Sequence, residues 1–531
     1  MKYVKSLSIT FVFGLVYFYF ALPPINITSI SFWSFVIILL ILFVVLSASF
    51  NAVTLFKNFP NLSGGIKPFN KVEKVALGMV FLIIPLILLI NMIFSPFFMA
   101  DAYSKRILID ETHDFTEDVK PLNVNNLPVI DKDSSLRLGD RTMGRLPDLV
   151  SQFNVSSLYT QISYKNEITR VTPLEYSDIF KYINNRKNGT AGYIKVNSVT
   201  GESELTRLEE GLVYLDSAFL KENLTRKLRF SYPTKIFGDK YFELDDESKP
   251  YWIVPTIKYV GVGIRPDVEG VIVLDPVTGN SNYYDVANVP EWVDHVYPSS
   301  LILDQVSDWG AYRGGFWNSL IGQKNVVQPT QGYNYTIIEN DVYLYTGITS
   351  VVGDESNIGF ILSNLRTKET NFYSAPGAEE YSAMASAEGQ VQQMNYVSTF
   401  PLLVNLNGRP TYFLSLKDRA GLVKMYAFVD VTDYQRVVVT ESSEGITKAV
   451  QNYIGRDIDE LNIESKEITI GSIQMGIIDG NTFYFIEDEN NDKYFVSITI
   501  DKELLPFAKV GDMVEIGFYK TEGIIEILQI K

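Results

Sequence analysis

Apolar positions follow two regimes along the chain. Up to residue 98 they run almost unbroken, over residues 7–22, 31–50 ("SFWSFVIILLILFVVLSASF") and 75–98 ("VALGMVFLIIPLILLINMIFSPFF"). About 20 helical residues cross a hydrocarbon core. The second and third runs reach that length, and the first, at 16 residues, is marginal. Three N-terminal transmembrane helices are predicted. A cleaved signal peptide is the alternative for the first run, led by Lys2 and Lys5, but "ALPPINITSI" is a poor cleavage site and a second span follows at once. The runs hold no acid, base or histidine, and Asn91 is their only amide. A proton or ion path would have little to use, so they read as an anchor.

Beyond residue 98 the period drops towards two. "GVIVLDPVTGNSNYYDV" (270–286) reads as strand, tight turn, strand, with Pro276 and Gly279 serving turn geometry. The same form appears in "GYIKVNSVTGESELTRL" (192–208), in "GFILSNLRTKETNFYSA" from Gly359 and in "VKMYAFVDVTDYQRVVVT" from Val423. From Ile194 to Ile272, Ile361 and Ala427 the intervals are 78, 89 and 66 residues. That spacing is too uneven for a solenoid and suits several small α+β units.

A helix is predicted over 172–189, with Thr172 as cap, Pro173 at the first position, Glu175 three residues after the cap, and Tyr176, Ile179, Phe180 and Ile183 on one face. A second, "DSAFLKENLTRKLRF", aligns Leu220, Leu224 and Leu228, and "KYFELDDESKPYWIVPTIKY" reads as two strands about a polar turn. Helix, hairpin, hairpin is thus the expected unit. "SSEGITKAVQNYIG" gives a further helix, with Ile446, Val450 and Ile454 as its stripe and Gly455 as its stop. Five alternating segments after about residue 464 predict a small barrel, with "KELLPFAKVG" as a short helix or turn before the fourth. The predicted architecture is a membrane-anchored α+β protein. It comprises a three-helix anchor (1–98), a polar lead-in or stalk (99–165), units one and two (166–300), units three and four (301–458) and a C-terminal β-barrel (459–531).

Charge sets the orientation. Of a net −16, the first 98 residues carry six lysines against Glu73, or +5, which leaves −21 for the remainder. Lys2 and Lys5 precede the first run, and Lys57, Lys67, Lys71 and Lys74 lie between the second and third. Both places are expected to be cytoplasmic. Pro23 and Pro24 then close the first hairpin outside, Trp33 sits at the outer interface, and everything from about residue 99 is extracytoplasmic at the plasma membrane. So acidic a body does not suit nucleic acid. With no cysteine in the chain, disulfides and thiolate chemistry are excluded.

The helix and antiparallel strands with a "DPVTG" turn leading into "NSNYYDV" resemble the PepSY domain, a small extracytoplasmic module, over roughly 174–286 and more weakly to residue 455. Together with "YPTKIFG", "VPEWVDHVY", "GGFWNSLIGQ" and "SLKDRAGLVKMYAFVDV", the arrangement is similar to a family of multi-span membrane proteins of Gram-positive bacteria. The resemblance implies inhibition, chaperoning or protein binding and carries no catalytic motif. The final five strands with a "KVGDMVEI" lead resemble an OB-like barrel.

Little else points to chemistry. Of the two histidines, His295 in "VPEWVDHVYP" reads as a packing or capping residue, and His113 with Asp114 is a weak metal pair. No serine sits in "GxSxG", and "YRGGFWNSLIGQ" lacks the lysine of a phosphate loop. Asp488, Asn490 and Asp492 resemble the start of a calcium loop without its glycine and final glutamate. No catalytic, cofactor or metal residue is assigned. Phe316, Trp317, Tyr333 and Tyr335 form the most site-like feature, an aromatic patch for a partner or a packed seam between units. The expected function is a non-enzymatic binding or assembly component of the cell envelope that recognises another membrane or envelope protein. The alternatives are a carboxylate-dependent cell-wall enzyme and a sensor subunit.

Overall fold

The computed structural model describes residues 2–58, 70–122, 127–165, 167–338, 340–351, 356–406, 408–454, 464–478, 481–498, 500–501, 504–518 and 525–531. Lys67 and Gly455 lie outside them. Three helices, Lys2–Ala21, Ile30–Asn58 and Lys71–Ile93, are long and apolar enough to cross a bilayer. The third stops at Ile93 and not at residue 98. A new helix, Pro96–Ser104, begins there, and Ser95 is extended at ψ 163°, as the residue before a proline prefers. Glu73 enters the third helix. It is buried, accepts from Ser47 Oγ at 2.8 Å and caps Asn70 N at 2.9 Å.

The chain forms two compact units, 1–114 with 128–379 and 115–127 with 380–531. In the first, one end of the three-helix set is joined to the α+β body. Asn91 Nδ2 donates to Val262 O at 2.9 Å and its Oδ1 accepts from Val262 N at 2.8 Å. Ile25 N reaches Pro233 O, and Gly263 N reaches Thr28 O, both at 2.8 Å. Arg226 and Arg229 donate to the carbonyls of Tyr19 and Leu22. Glycine is required in this joint: a Cβ on Gly263, at φ +70°, would lie 2.4 Å from Ile30.

The four hairpins form as expected, but the repeating unit is larger than the sequence suggested. Each hairpin ends a set of five strands that is connected alike in all four sheets, and the third sheet carries a sixth strand beyond its hairpin. In the first, the long third strand, Glu167–Tyr176, pairs along one edge with two short strands placed end to end, Phe153–Val155 and Thr160–Tyr164. Its other edge takes the hairpin Thr190–Asn197 and Ser203–Leu212. The long strands of the other sheets are Pro250–Tyr259, Asp341–Ser350 and Arg409–Lys417. The helices Lys132–Gly144, Leu224–Ser231, Ser299–Tyr312 and Glu380–Gln390 precede the four sheets in turn.

The helix expected over 172–189 begins as strand and is helical only in its middle. Thr172, Pro173 and Glu175 belong to Glu167–Tyr176, where pairing on both edges outweighs the local capping signal. Pro173 gives no N–H, yet its carbonyl accepts from Ser156 N at 3.1 Å. Only Ile179–Asn185 is helical, capped by the Asp178 carboxylate, and Ile179, Phe180 and Ile183 are exposed rather than buried. Leu220 lies in a separate 3-10 turn and so leaves the expected line, while Leu224 and Leu228 share the helix Leu224–Ser231 and are buried. The lead-in is also drawn into structure. Lys132–Gly144 is the first unit's helix, and Ile109–His113 pairs in parallel with Thr370–Ala378, closing the edge of the third sheet.

Successive side chains of a strand point to opposite faces, and in the second sheet both faces are covered. Trp252, Val254, Ile272 and Leu274 join a core with the first sheet. Ile253, Ile257, Val271 and Val273 join another with the third sheet and the helix Ser299–Tyr312. This explains why "VIVL" at 271–274 is apolar without alternation.

In the second unit, the helices Glu380–Gln390 and Ile446–Ile454 accompany the fourth sheet. The strands Glu464–Ile478, Asn481–Asp488, Lys493–Ser497, Met513–Phe518 and Ile525–Ile530 close into a barrel in the order first, second, third, fifth, fourth. A 3-10 turn, Leu505–Phe507, precedes the fourth strand.

Asn91→Ala leaves the Val262 N–H and C=O without their partner, and is expected to cost about 1–3 kcal/mol. Gly263→Ala should be at least as damaging, whereas Gly78→Ala, with nothing within 4 Å of the added Cβ, should be neutral. Thermal denaturation of the full chain in detergent micelles checks all three.

Candidate functional site

The first three sheets meet around an open cleft of about 670 Å³. Strand alternation builds one wall. Along Tyr241–Leu244, Phe242 and Leu244 enter the core shared with the first sheet, while Tyr241 and Glu243 face the other way, towards residues 293–295. Glu243 is fully buried. Its Oε1 lies 2.8 Å from His295 Nδ1 and accepts from His295 N at 3.1 Å, and its Oε2 accepts from Asp294 N at 2.9 Å. The His295 ring is thereby fixed, stacked on Tyr241 at 4.5 Å and met edge-on by Tyr335 at 6.1 Å. Tyr335 OH pairs with Ser299 Oγ at 2.7 Å. Burial raises the hydroxyls of Tyr241 and Tyr335 above the usual phenol range.

Asp294 is the third member of this cluster. Burial, then the charge of Glu243, holds its carboxyl well above the ordinary range, although Ser163 N donates to Oδ2 at 2.8 Å. On the opposite wall, Gln161 Oε1 accepts from Arg170 Nη2 at 2.6 Å. Its Nε2 is buried without a hydrogen-bond partner among the described residues. Arg170 is lowered to about 10 by burial, and it also donates to Ile130 O and Ser198 Oγ. Lys240, also on the cleft, is tied to Asp216 and Thr225.

The four aromatic residues singled out in the sequence fall into two pairs. Tyr333 and Tyr335, with rings 5.6 Å apart, line the cleft. Phe316 and Trp317, 5.5 Å apart, instead meet Phe97 just beyond the third span, at 5.1 and 5.9 Å. Sequence reasoning singled out His295 as a packing or capping residue but missed Glu243, Asp294, Tyr241 and Gln161. The one available signal was a glutamate inside the otherwise apolar "YFEL".

His113 Nε2 lies 3.5 Å from Asp110. Among the described residues, no group of three or more His, Cys, Asp or Glu side chains is placed to hold a metal ion. The calcium-like residues form a turn in which Asp488 Oδ1 accepts from the Asn490 and Asp492 amides at 2.9 Å, and Lys466 reaches both carboxylates.

Because the carboxyl of Asp294 binds its proton more tightly in the folded chain than in the unfolded one, its contribution to stability is complete below about pH 4. It is lost as the pH rises through the raised folded value. Asp294→Asn keeps an acceptor for Ser163 N and removes that loss. The variant should therefore gain in melting temperature relative to the parent as the pH rises from 4 to 8, measured by thermal denaturation across that series.

No protein-family model matches the chain, and the search of curated proteins gives no match.

Proposed function

We propose that this is a non-enzymatic, membrane-anchored binding component of the cell envelope. Its N-terminus is cytoplasmic, its body from about residue 99 is extracytoplasmic, and its cleft receives an extended segment of another envelope protein. The single observation carrying this reading is the Gln161 amide nitrogen, buried without a partner among the described residues, on a cleft that also presents Tyr333, Tyr335 and His295. A buried donor without an acceptor is costly, and the backbone carbonyl of a bound segment supplies one while the rings take its side chains. The like connectivity of the four sheets supports a duplicated PepSY-like module, and the strand order of the closed barrel supports the OB-like reading. Edge addition is a lesser route, since the third sheet's hairpin edge is occupied by Ile109–His113.

A second reading, a carboxylate-dependent cell-wall enzyme, is favoured by Glu175, Asp216 and Asp239 lining the same cleft.

A photo-crosslinking amino acid at position 333, activated in intact cells, should yield one reproducible protein adduct. Gln161→Leu should lower that yield about fivefold, the worth of one hydrogen bond of about 1 kcal/mol. No reproducible adduct, together with turnover of peptidoglycan fragments that Glu175→Gln abolishes, would favour the enzyme. A tag after Lys531 should be open to protease in sealed cells, which checks the orientation separately.

A further inference from the structure

The membrane contact of this protein extends beyond its three helices. Phe97 follows the last residue of the third span, Ile93, by four positions, so the covalent chain holds it at the surface end of that span. From there a line of contacts ties the chain to the helix Ser299–Tyr312. Phe97 meets Phe316 at 5.1 Å, Tyr103 meets Tyr312 at 5.9 Å, and Arg106 is paired with Asp308. These contacts carry residues 316–321 to the level of Phe97.

At that level the segment shows apolar side chains outward. Trp317 is 63 % exposed, Ile321 is 78 % exposed, and Leu320 is exposed between them. The tip is shaped by polar bonds rather than apolar packing: Asn318 Nδ2 donates to Lys324 O at 3.0 Å, its Oδ1 accepts from Lys324 N at 3.2 Å, and Gln323 N closes back on Asn318 O at 2.6 Å. A fixed helical turn, Asn318–Gly322 with the residues just before it, that holds three large apolar side chains in water gains nothing from it. Between Arg313 and Lys324 there is no acidic residue, in a body of net charge −21. The second contact repeats the pattern at the first span, where Phe230, 57 % exposed, lies 5.9 Å from Phe18 and 6.3 Å from Tyr19.

We infer that residues 313–324 form a monotopic keel, with Trp317, Leu320 and Ile321 entering the headgroup and acyl boundary of the leaflet on the body's side. The occupant is lipid, because the patch is continuous with the surface end of a membrane span. Tryptophan suits that boundary, shallow apolar insertion beside a basic residue suits an anionic leaflet, and the exposed Lys324 is long enough to keep its charge among the headgroups, whereas Arg313 is engaged by Asn325 O and Glu111. With Phe230 as the second point, the keel sets the tilt of the body on the membrane. This inference is independent of what occupies the cleft.

The chain has no cysteine, so Ile321→Cys gives a single labelling site in the full-length protein. Asp246→Cys provides the reference, since Asp246 is exposed beyond the Pro250 end of a strand whose other end leads to Val262 at the span. That distance is about 30 Å at 3.3 Å per residue. Each variant carries an environment-sensitive fluorophore and is reconstituted in phosphatidylcholine and phosphatidylglycerol vesicles. The label at 321 is expected to emit further to the blue and to be quenched several-fold more by lipids with a shallow nitroxide, while iodide in the water quenches the label at 246. Leu320→Cys should behave as 321 does, which guards against a local disturbance. Equal iodide quenching at 321 and 246 without lipid quenching would overturn the keel. Protection of 321 from both quenchers would overturn it as well and assign the patch to protein.

Discussion

The amide of Asn91 is the interaction on which the rest of the arrangement depends. A single polar side chain near the end of a greasy helix holds both backbone groups of Val262, and the glycines on either side let that loop sit close against it. A side-chain amide in a span is expensive unless its donor and acceptor are both used, and here they are. The same loop closes the strand Pro250–Tyr259 of the second sheet, so the membrane spans hold the central layer of the body directly. The carbonyls of Tyr19 and Leu22 give the first span an equivalent hold through Arg226 and Arg229.

From that central layer the remaining geometry of the first unit follows. A sheet buried on both faces commits its neighbours to either side, and side-chain alternation assigns each residue of 271–274 to one core or the other. The cleft is the place where the two cores do not close over the second sheet. Its wall is made by Tyr241 and Glu243, on the opposite face of their strand from Phe242 and Leu244. Two acids and a histidine are accommodated there because Glu243 spends its oxygens on His295 and two amides, while burial holds Asp294 towards its neutral form. The polar atoms of one acid are thus satisfied by hydrogen bonds and the charge of the other is suppressed, which is how buried titratable groups become tolerable.

The first unit also shows why local signals mislead. "TPLEYSD" carries a good capping pattern, yet the chain there is a strand, since the pairing partners of Glu167–Tyr176 lie up to some tens of residues away and no local rule sees them. The aromatic residues at 316, 317, 333 and 335 are close in sequence, but the strand Val327–Pro329 and the turn after it carry the second pair into the cleft while the first stays beside Phe97.

The sequence by itself determined what depends on local pattern: three apolar helices of membrane-spanning length, four hairpins with their turn residues, the helix at 446–454 and five closing strands at the C-terminus. These are legible because hydrophobic period and turn chemistry act over a few residues. Tertiary structure alone decided that each hairpin joins three further strands in a common five-strand arrangement, that the polar lead-in supplies a helix and a sixth, edge strand to the third sheet, and that Glu243 meets His295 across 52 positions. Those outcomes rest on pairing between distant segments. Their free energy comes from covering a second face or satisfying a buried polar atom, and neither is written in the residues nearby.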